Sequence, residues 1–402
     1  MCEHGTYPKP VPRLNPVILS PERNTNHSAT QPLSQRKGTM GWFGFGQASA
    51  TRKAKALSRD LRGKHVVVTG ANTGLGYATA RELAKMGGKV TLACRSAERG
   101  QEALERLRRE ALEKPVAEGV DLLEGLEDVD VQLEILDLAS LQSVVSFARR
   151  LRTAGTKVDV LINNAGIFGV PERRETVDGF EMQIGVNHFA VHLLTRLMEP
   201  LLFAAATDSD GGGGGGGGDD EIAGARVVFL SSLAHDRPPG LRKTTWDWTN
   251  INFDRPRSYN RVSAYGRSKL ANVLDAKEFA ARLALRRVST YAVQPGLVKT
   301  EIHRSMADGK VMALVAGWGY AALGWVSLRT PLEGALTTLM CAVDPALAAP
   351  ALSGKYWGNM KEEEPSELAS DPANPPRLWE ATESLLEEKL GHKVDDLLEL
   401  PP

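Results

Sequence analysis

Cysteine is scarce in this chain: 402 residues contain three, Cys2, Cys94 and Cys341, with no CxxC pair and no spacing to histidine that suits a metal. That scarcity argues against a disulfide framework and against a zinc site, and it fits a reducing, intracellular compartment. Cys94 falls in a strand-like run, where a free thiol packs as a small hydrophobe. An excess of one charge is lacking too. Lys and Arg number 49, and Asp and Glu number 49, so no basic face for nucleic acid is expected. The N-terminal segment has no apolar stretch of the kind a secretory signal requires. What remains, 42% hydrophobic and 24% charged residues, is the composition of an ordinary globular protein with a large core.

Residues 1–60 carry nine Lys/Arg against three Asp/Glu, are rich in Pro, Ser, Asn and Gln, and show no sustained periodicity. They read as a disordered basic leader with three explanations open: an organellar transit peptide, a solvated tail, or a start misplaced upstream of Met40. From Lys64 onward, short Val/Ile/Leu runs alternate with amphipathic helical stretches. Strands are expected at His65 to Thr69, Lys89 to Cys94, Gln132 to Leu136, Val158 to Ile162, Arg226 to Leu230 and Ser289 to Val293. Each is too short for a helix, and the alternation calls for an α/β fold, a parallel sheet with helices on both faces. Two segments break the rhythm. Residues 114–130 are acidic and loop-like, and residues 208–221 contain eight consecutive glycines, Gly211 to Gly218. Both read as flexible surface insertions without chemistry, and residues 391–402 as a C-terminal tail.

The first strand runs directly into Gly70-Ala-Asn72-Thr73-Gly74-Leu75-Gly76, followed by the helical stretch Tyr77 to Lys85. Glycines in a strand-to-helix turn let backbone N–H groups and the helix N-terminus approach a pyrophosphate closely. The second strand ends Ala93-Cys94-Arg95-Ser96, with no acidic residue to hold a ribose 2′-hydroxyl. Arg95 instead suits a 2′-phosphate, which favours NADP(H) over NAD(H).

With Asn163-Asn164-Ala165-Gly166, Asn187, Ser232, Tyr265-Gly-Arg-Ser-Lys269 and Pro295-Gly296 in that order, the chain resembles the short-chain dehydrogenase/reductase family. Trp246 to Phe253, Thr330 to Asp344 and Ser353 to Trp357 are similar to its retinol-dehydrogenase-like branch, which includes the WW-domain oxidoreductases. The resemblance covers about residues 60–385 and implies a single doubly wound, Rossmann-type sheet over 61–390. It also implies an enzyme that interconverts an alcohol and a carbonyl on a lipophilic substrate of retinoid, steroid or aliphatic type.

By that resemblance Tyr265 exchanges a proton with the substrate oxygen, Ser232 rather than Ser231 steadies the oxygen, and Lys269 binds ribose. Asn187 would hold a water that relays protons to the lysine. Asp137 and Leu138 would border the adenine, and Asn164, Ala165 and Gly166 would line the cofactor. Pro295, Gly296, Val298 and Thr300 would lie along the nicotinamide carboxamide. Tyr265 and Lys269 stand four apart in an expected helix, Val262 to Leu285, which puts them on one face. An ammonium beside a phenol of ordinary pKa about 10 lowers that value and eases proton transfer. His188 and His192, one turn apart in the expected helix Gly185 to Leu201, lack further metal ligands and are assigned to packing or surface roles.

Val311 to Val326 is an uncharged run of sixteen residues, short against the roughly 20 that a span needs. A lid over the substrate is the first reading, peripheral membrane contact the second, and a transmembrane helix the last. The sequence leaves a homodimer open, along with the choice between cytoplasm, plastid, mitochondrion and endoplasmic reticulum surface. Two other functional readings also stand: an enzyme similar to protochlorophyllide reductase, which shares the Tyr-x-x-x-Lys arrangement, and a non-catalytic NADP-binding scaffold.

Overall fold

In a parallel sheet buried on both faces, every strand must be apolar throughout, and β1 (His65–Thr69) is buried at all five positions. The computed structural model describes residues 47–113, 119–208, 224–237, 243–299 and 329–399. Around β1 lie β2 (Lys89–Cys94), β3 (Val131–Ile135), β4 (Val160–Asn163), β5 (Ala225–Leu230), β6 (Val288–Gln294), β7 (Lys355–Gly358) and β8 (Lys361–Glu362). They form one sheet in the order β3-β2-β1-β4-β5-β6-β7-β8. All neighbours pair in parallel except the last, where the two-residue β8 turns back on β7. The six expected strands are present within two residues of their expected ends. β7 and β8 were not foreseen as strands, because four and two residues give no readable period.

The helices are α1 (Gln47–Ala56), α2 (Gly74–Lys85), α3 (Ala97–Leu112), α4 (Leu141–Thr153), a single turn α5 (Met182–Ile184), α6 (Ala190–Asp208), α7 (Arg261–Leu283), α8 (Pro331–Val343), the short α9 (Glu367–Ser370), α10 (Asn374–Leu390) and α11 (Val394–Glu399). Alternation along β1 sends Val67 to one layer, with α4, α6 and α7, and Val66 and Val68 to the other, with α1, α2, α3 and α8. α8 starts on a capping box. Thr330 N–H donates to Glu333 and Glu333 N–H donates to Thr330 Oγ1, with Pro331 in the first turn.

Three boundaries differ from the sequence reading. α1 lies inside the segment read as a disordered leader; its Ala50 and Ala54 are fully buried against α8, a small-residue contact that composition hides. Residues 119–130, read as part of a flexible insertion, keep an irregular path but are docked on α2. Lys85 Nζ donates to the Val120 carbonyl at 3.1 Å, and Leu123 N–H donates to the Lys85 carbonyl at 2.8 Å. The tail is likewise part of the domain. Val394 and Leu397 of α11 are buried, and Arg152 donates to the carbonyls of Leu397 and Leu398 at 3.0 Å. The glycine run lies outside the described residues.

The stretch Met182–Thr207 is long and apolar enough to cross a membrane, the one such helix among the described residues. Here 78% of its apolar window is buried inside the fold, so it serves as a core helix. Its polar face is held by a buried carboxylate, Asp275 of α7. Both Asp275 oxygens face imidazoles at 3.0 Å, one from His188 Nδ1 and one from His192 Nδ1. His192 Nε2 faces Glu383 of α10 at 3.0 Å. A carboxylate only accepts, so both ring nitrogens of His192 carry hydrogen and the ring is an imidazolium. Although burial opposes the charge, the two carboxylates prevail and raise its pKa to about 9. Asp275 is held down at about 2 by the same pair of histidines, against its own burial.

Because the folded-state pKa of His192 lies above the ordinary 6.5, its contribution is complete below pH 6.5 and is lost as pH rises through about 9. Thermal unfolding should therefore show a midpoint that drops between pH 6.5 and 9.5. The His192→Gln variant should be less stable at pH 6.5 and should have lost that part of the pH dependence.

Candidate active site

The strand order reverses direction between β1 and β4, so the loops leaving their carboxyl ends diverge and open a cleft. The glycine turn lines one side of that cleft. Gly70 and Gly74 have φ of +65° and +58°, a region that costs a side chain strain. Gly76 is required for space. A Cβ there would stand 2.3 Å from Asn164 Nδ2 and 2.6 Å from the Gly70 carbonyl oxygen. Asn164 itself donates from Nδ2 to the Thr69 carbonyl at 2.7 Å, and Thr69 Oγ1 accepts from the N–H groups of Asn164 and Ala165 at 3.0 and 2.9 Å. The two loops are thereby tied into one rigid rim. Thr69 was missed by the sequence reading, although its place directly before Gly70 could have exposed it.

Asn72 and Thr73 lie half-buried in the turn, and Leu75 is buried behind it. Arg95 is exposed at the end of β2, and Ser96 caps α3 by accepting from Arg99 N–H at 3.3 Å. Asp137 and buried Leu138 follow β3; the Asp137 carboxylate accepts from Ala139 N–H at 3.0 Å, and its own N–H donates to Ser143 Oγ at 2.9 Å. After β6, Gly296 takes φ of +79° beneath Arg329, which donates to the Pro295 carbonyl at 2.9 Å. Val298 and Leu75 both abut Gly334 of α8, and Val298 pairs with Arg329 as an isolated bridge. Thr300 lies outside the described residues, as does the run Val311 to Val326.

On the other side of the cleft, Ser231 and Ser232 leave β5 in different directions. Ser231 is buried and spends its hydroxyl on the Lys269 carbonyl at 2.7 Å. Ser232 stands close enough to the Tyr265 phenol to lower its pKa, and it accepts from Ala234 N–H at 3.2 Å. α7 carries Tyr265 and Lys269 on one face, with the ammonium 5.8 Å from the phenol ring centre. Lys269 is buried and donates to the Leu230 carbonyl at 2.8 Å, a carbonyl that also accepts from Asn272 at 2.9 Å. Asn187 comes from a π turn, Gly185–Phe189, at the head of α6. Its amide clasps the Ile167 backbone, accepting from N–H at 2.8 Å and donating to the carbonyl at 2.9 Å, and donates to Ser268 Oγ at 3.0 Å. A Cβ on Gly166 would lie 3.3 Å from both Asn187 Oδ1 and Lys269 Nζ, so a glycine here lets the backbone come close to both groups.

The electrostatics of the pair depart from the sequence expectation. Burial pushes the Tyr265 phenol up to about 12, against the nearby Ser232 side chain, which lowers it. Burial likewise drives Lys269 down to about 7. Desolvation sets both shifts because burial removes water from both groups, and among the described residues the ammonium donates to an uncharged carbonyl. A dinucleotide fits these residues. The rim has no room for side chains where a pyrophosphate would approach, and Lys269 has two N–H bonds beyond the one spent on Leu230.

Comparison with known proteins decides what this cleft belongs to. Residues 64–213 match the family model for short chain dehydrogenase. Mouse (Mus musculus) retinol dehydrogenase 14 is 37% identical over 331 residues, 81% of this chain and 86% of that one. The chain belongs to the short-chain dehydrogenase/reductase family, in its retinol-dehydrogenase-like branch. It is an NAD(P)-dependent oxidoreductase. Human (Homo sapiens) retinol dehydrogenase 12 is 36% identical over 326 residues, 81% of this chain and 87% of its own length. Among solved structures, an uncharacterised protein from Mycobacterium paratuberculosis aligns at a TM-score of 0.57 with 28% identity, covering 83% of this chain and 97% of that one.

In this short-chain dehydrogenase the Gly76→Ala variant tests the rim. Its Cβ would drive Asn164 off the Thr69 carbonyl, so NADPH binding followed by fluorescence should weaken at least tenfold, with a lowered unfolding midpoint.

Proposed function

We propose that the chain reduces lipophilic aldehydes or ketones with NADPH, using Tyr265 as general acid. The observation that carries this reading is the convergence of Ser232 on the Tyr265 phenol, close enough to lower its pKa, with Lys269 buried behind the ring. A bound nicotinamide supplies the hydride at its C4. Tyr265 gives its proton to the substrate oxygen while Ser232 donates to the same oxygen. A phenol held near 12 is protonated at neutral pH and is therefore poised for reduction rather than oxidation. Lys269 restores the proton through a relaying water held by Asn187, which faces the lysine across Gly166.

Apolar surroundings support a lipophilic substrate. Phe168 packs edge-on against Tyr265 with ring centres 4.6 Å apart, and Leu233, next to Ser232, is 42% exposed. The retinol dehydrogenases among the relatives support the same class. NADP(H) is favoured by exposed Arg95 at the carboxyl end of β2 and by the lack of an acidic residue there.

The test is absorbance at the reduced-nicotinamide band with retinaldehyde, a 3-ketosteroid and decanal. Tyr265→Phe should cut kcat by roughly 10²–10⁴-fold while NADPH binding stays within about threefold; full activity in that variant would end the proposal. For Lys269, whose pKa lies below the ordinary value at about 7, reductive kcat/KM should fall as pH rises through 7 and the proton to be relayed is lost. Arg95→Asp should lower the NADPH-to-NADH ratio of kcat/KM at least tenfold, or about 1.4 kcal/mol.

A further inference from the structure

We propose that Asp275 is a positioning residue: through His188 it fixes the π turn that aims Asn187 into the active site. The inference rests on the reading of Asn187 given above. A π turn carries one residue more than an α turn and persists where surrounding contacts over-determine it. Asn187 and His188 are consecutive residues of that turn, Gly185–Phe189, and α7 grips both. Ser268 Oγ accepts from Asn187 at 3.0 Å, and Asp275 Oδ2 faces His188 Nδ1 at 3.0 Å. The far nitrogen of His188 meets Thr382 Oγ1 of α10 at 2.8 Å, so the ring is held at both ends. Asp275 Oδ1 is committed to His192, one turn later in α6, which sets the rotation of the helix that continues the π turn.

Asp275 and Lys269 lie on the same buried helix, so one rigid element positions the lysine and, by way of two histidines, the asparagine opposite it. The carboxylate is needed for this because it accepts from two imidazole N–H groups at once. An asparagine of the same size offers one accepting oxygen, and its amide hydrogens oppose the second imidazole. One histidine must then turn or change tautomer, and the π turn loses one of its two anchors.

The experiment compares Asp275→Asn, His188→Gln and Thr382→Val with Asn187→Ala, and uses Glu383→Gln as a control. The probe is NADPH with whichever carbonyl among retinaldehyde, a 3-ketosteroid and decanal gives the highest kcat/KM. Asp275→Asn and His188→Gln should each lower kcat by about ten- to a hundredfold, with KM and NADPH affinity within threefold. Combining Asp275→Asn with Asn187→Ala should cost no more than Asn187→Ala alone. Glu383→Gln, which takes the negative charge from the outer pairing of His192 and Arg196 and leaves Asp275 with His188, should lower the unfolding midpoint and leave kcat unchanged. Should Asp275→Asn fail to fold, His188→Gln and the milder Thr382→Val carry the same comparison, Thr382→Val with a smaller loss of kcat. Additive losses, or an unchanged kcat in His188→Gln while Asn187→Ala is impaired, would overturn the proposal. An unimpaired Asn187→Ala would instead overturn the reading of Asn187 on which it rests.

Discussion

An ammonium group buried against a single backbone carbonyl is the constraint around which this protein is organised. Lys269 is nearly sealed from water, yet among the described residues its Nζ donates to a single acceptor, the Leu230 carbonyl oxygen. Such a placement is costly unless the surroundings are polar enough and rigid enough to hold it. The carboxyl end of β5 supplies the carbonyl, Ser231 fixes the backbone of the lysine itself, and Asn272 shares the same acceptor. Burial is also what separates the two titrating groups, lifting the phenol and depressing the amine, so the site at rest contains a firm acid beside a soft base.

Much of this was legible in the sequence, for physical reasons that can be named. The strands β1, β2, β5 and β6 are short, mostly apolar and buried because helices cover both faces, and such runs are easily found. The glycine turn, the Asn-Asn-Ala-Gly run and the Tyr-x-x-x-Lys pair are local in the chain, so the family resemblance they carry could be seen in the sequence. Ser232 could be told from Ser231 only by resemblance; in the structure the reason is that Ser231 is already spent on α7.

What was not legible depends on contacts distant in sequence. The phenol was expected to be lowered by its lysine, because spacing on a helix reports proximity and says nothing about the water removed from both groups. His188 and His192 were assigned to packing, since nothing nearby pairs with them; their partner Asp275 lies more than eighty residues away. α1 and α11 were placed in tails because a few buried alanines and leucines, set among charges, do not announce a core. In the same way nothing in the sequence signalled that Asn164, expected to line the cofactor, is also a strut between two loops.

The two-residue strand β8 has a consequence for the molecule as a whole. A parallel sheet ends in a row of unsatisfied backbone groups that invites another chain to add on. Here the last ladder is turned back on itself by an antiparallel pair whose side chains, Lys361 and Glu362, are exposed and charged, and Lys355 faces Glu362 across it at 2.9 Å. The strip is too short and too hydrophilic to template a neighbour, so the growth of hydrogen-bonded strands stops at this edge of the sheet.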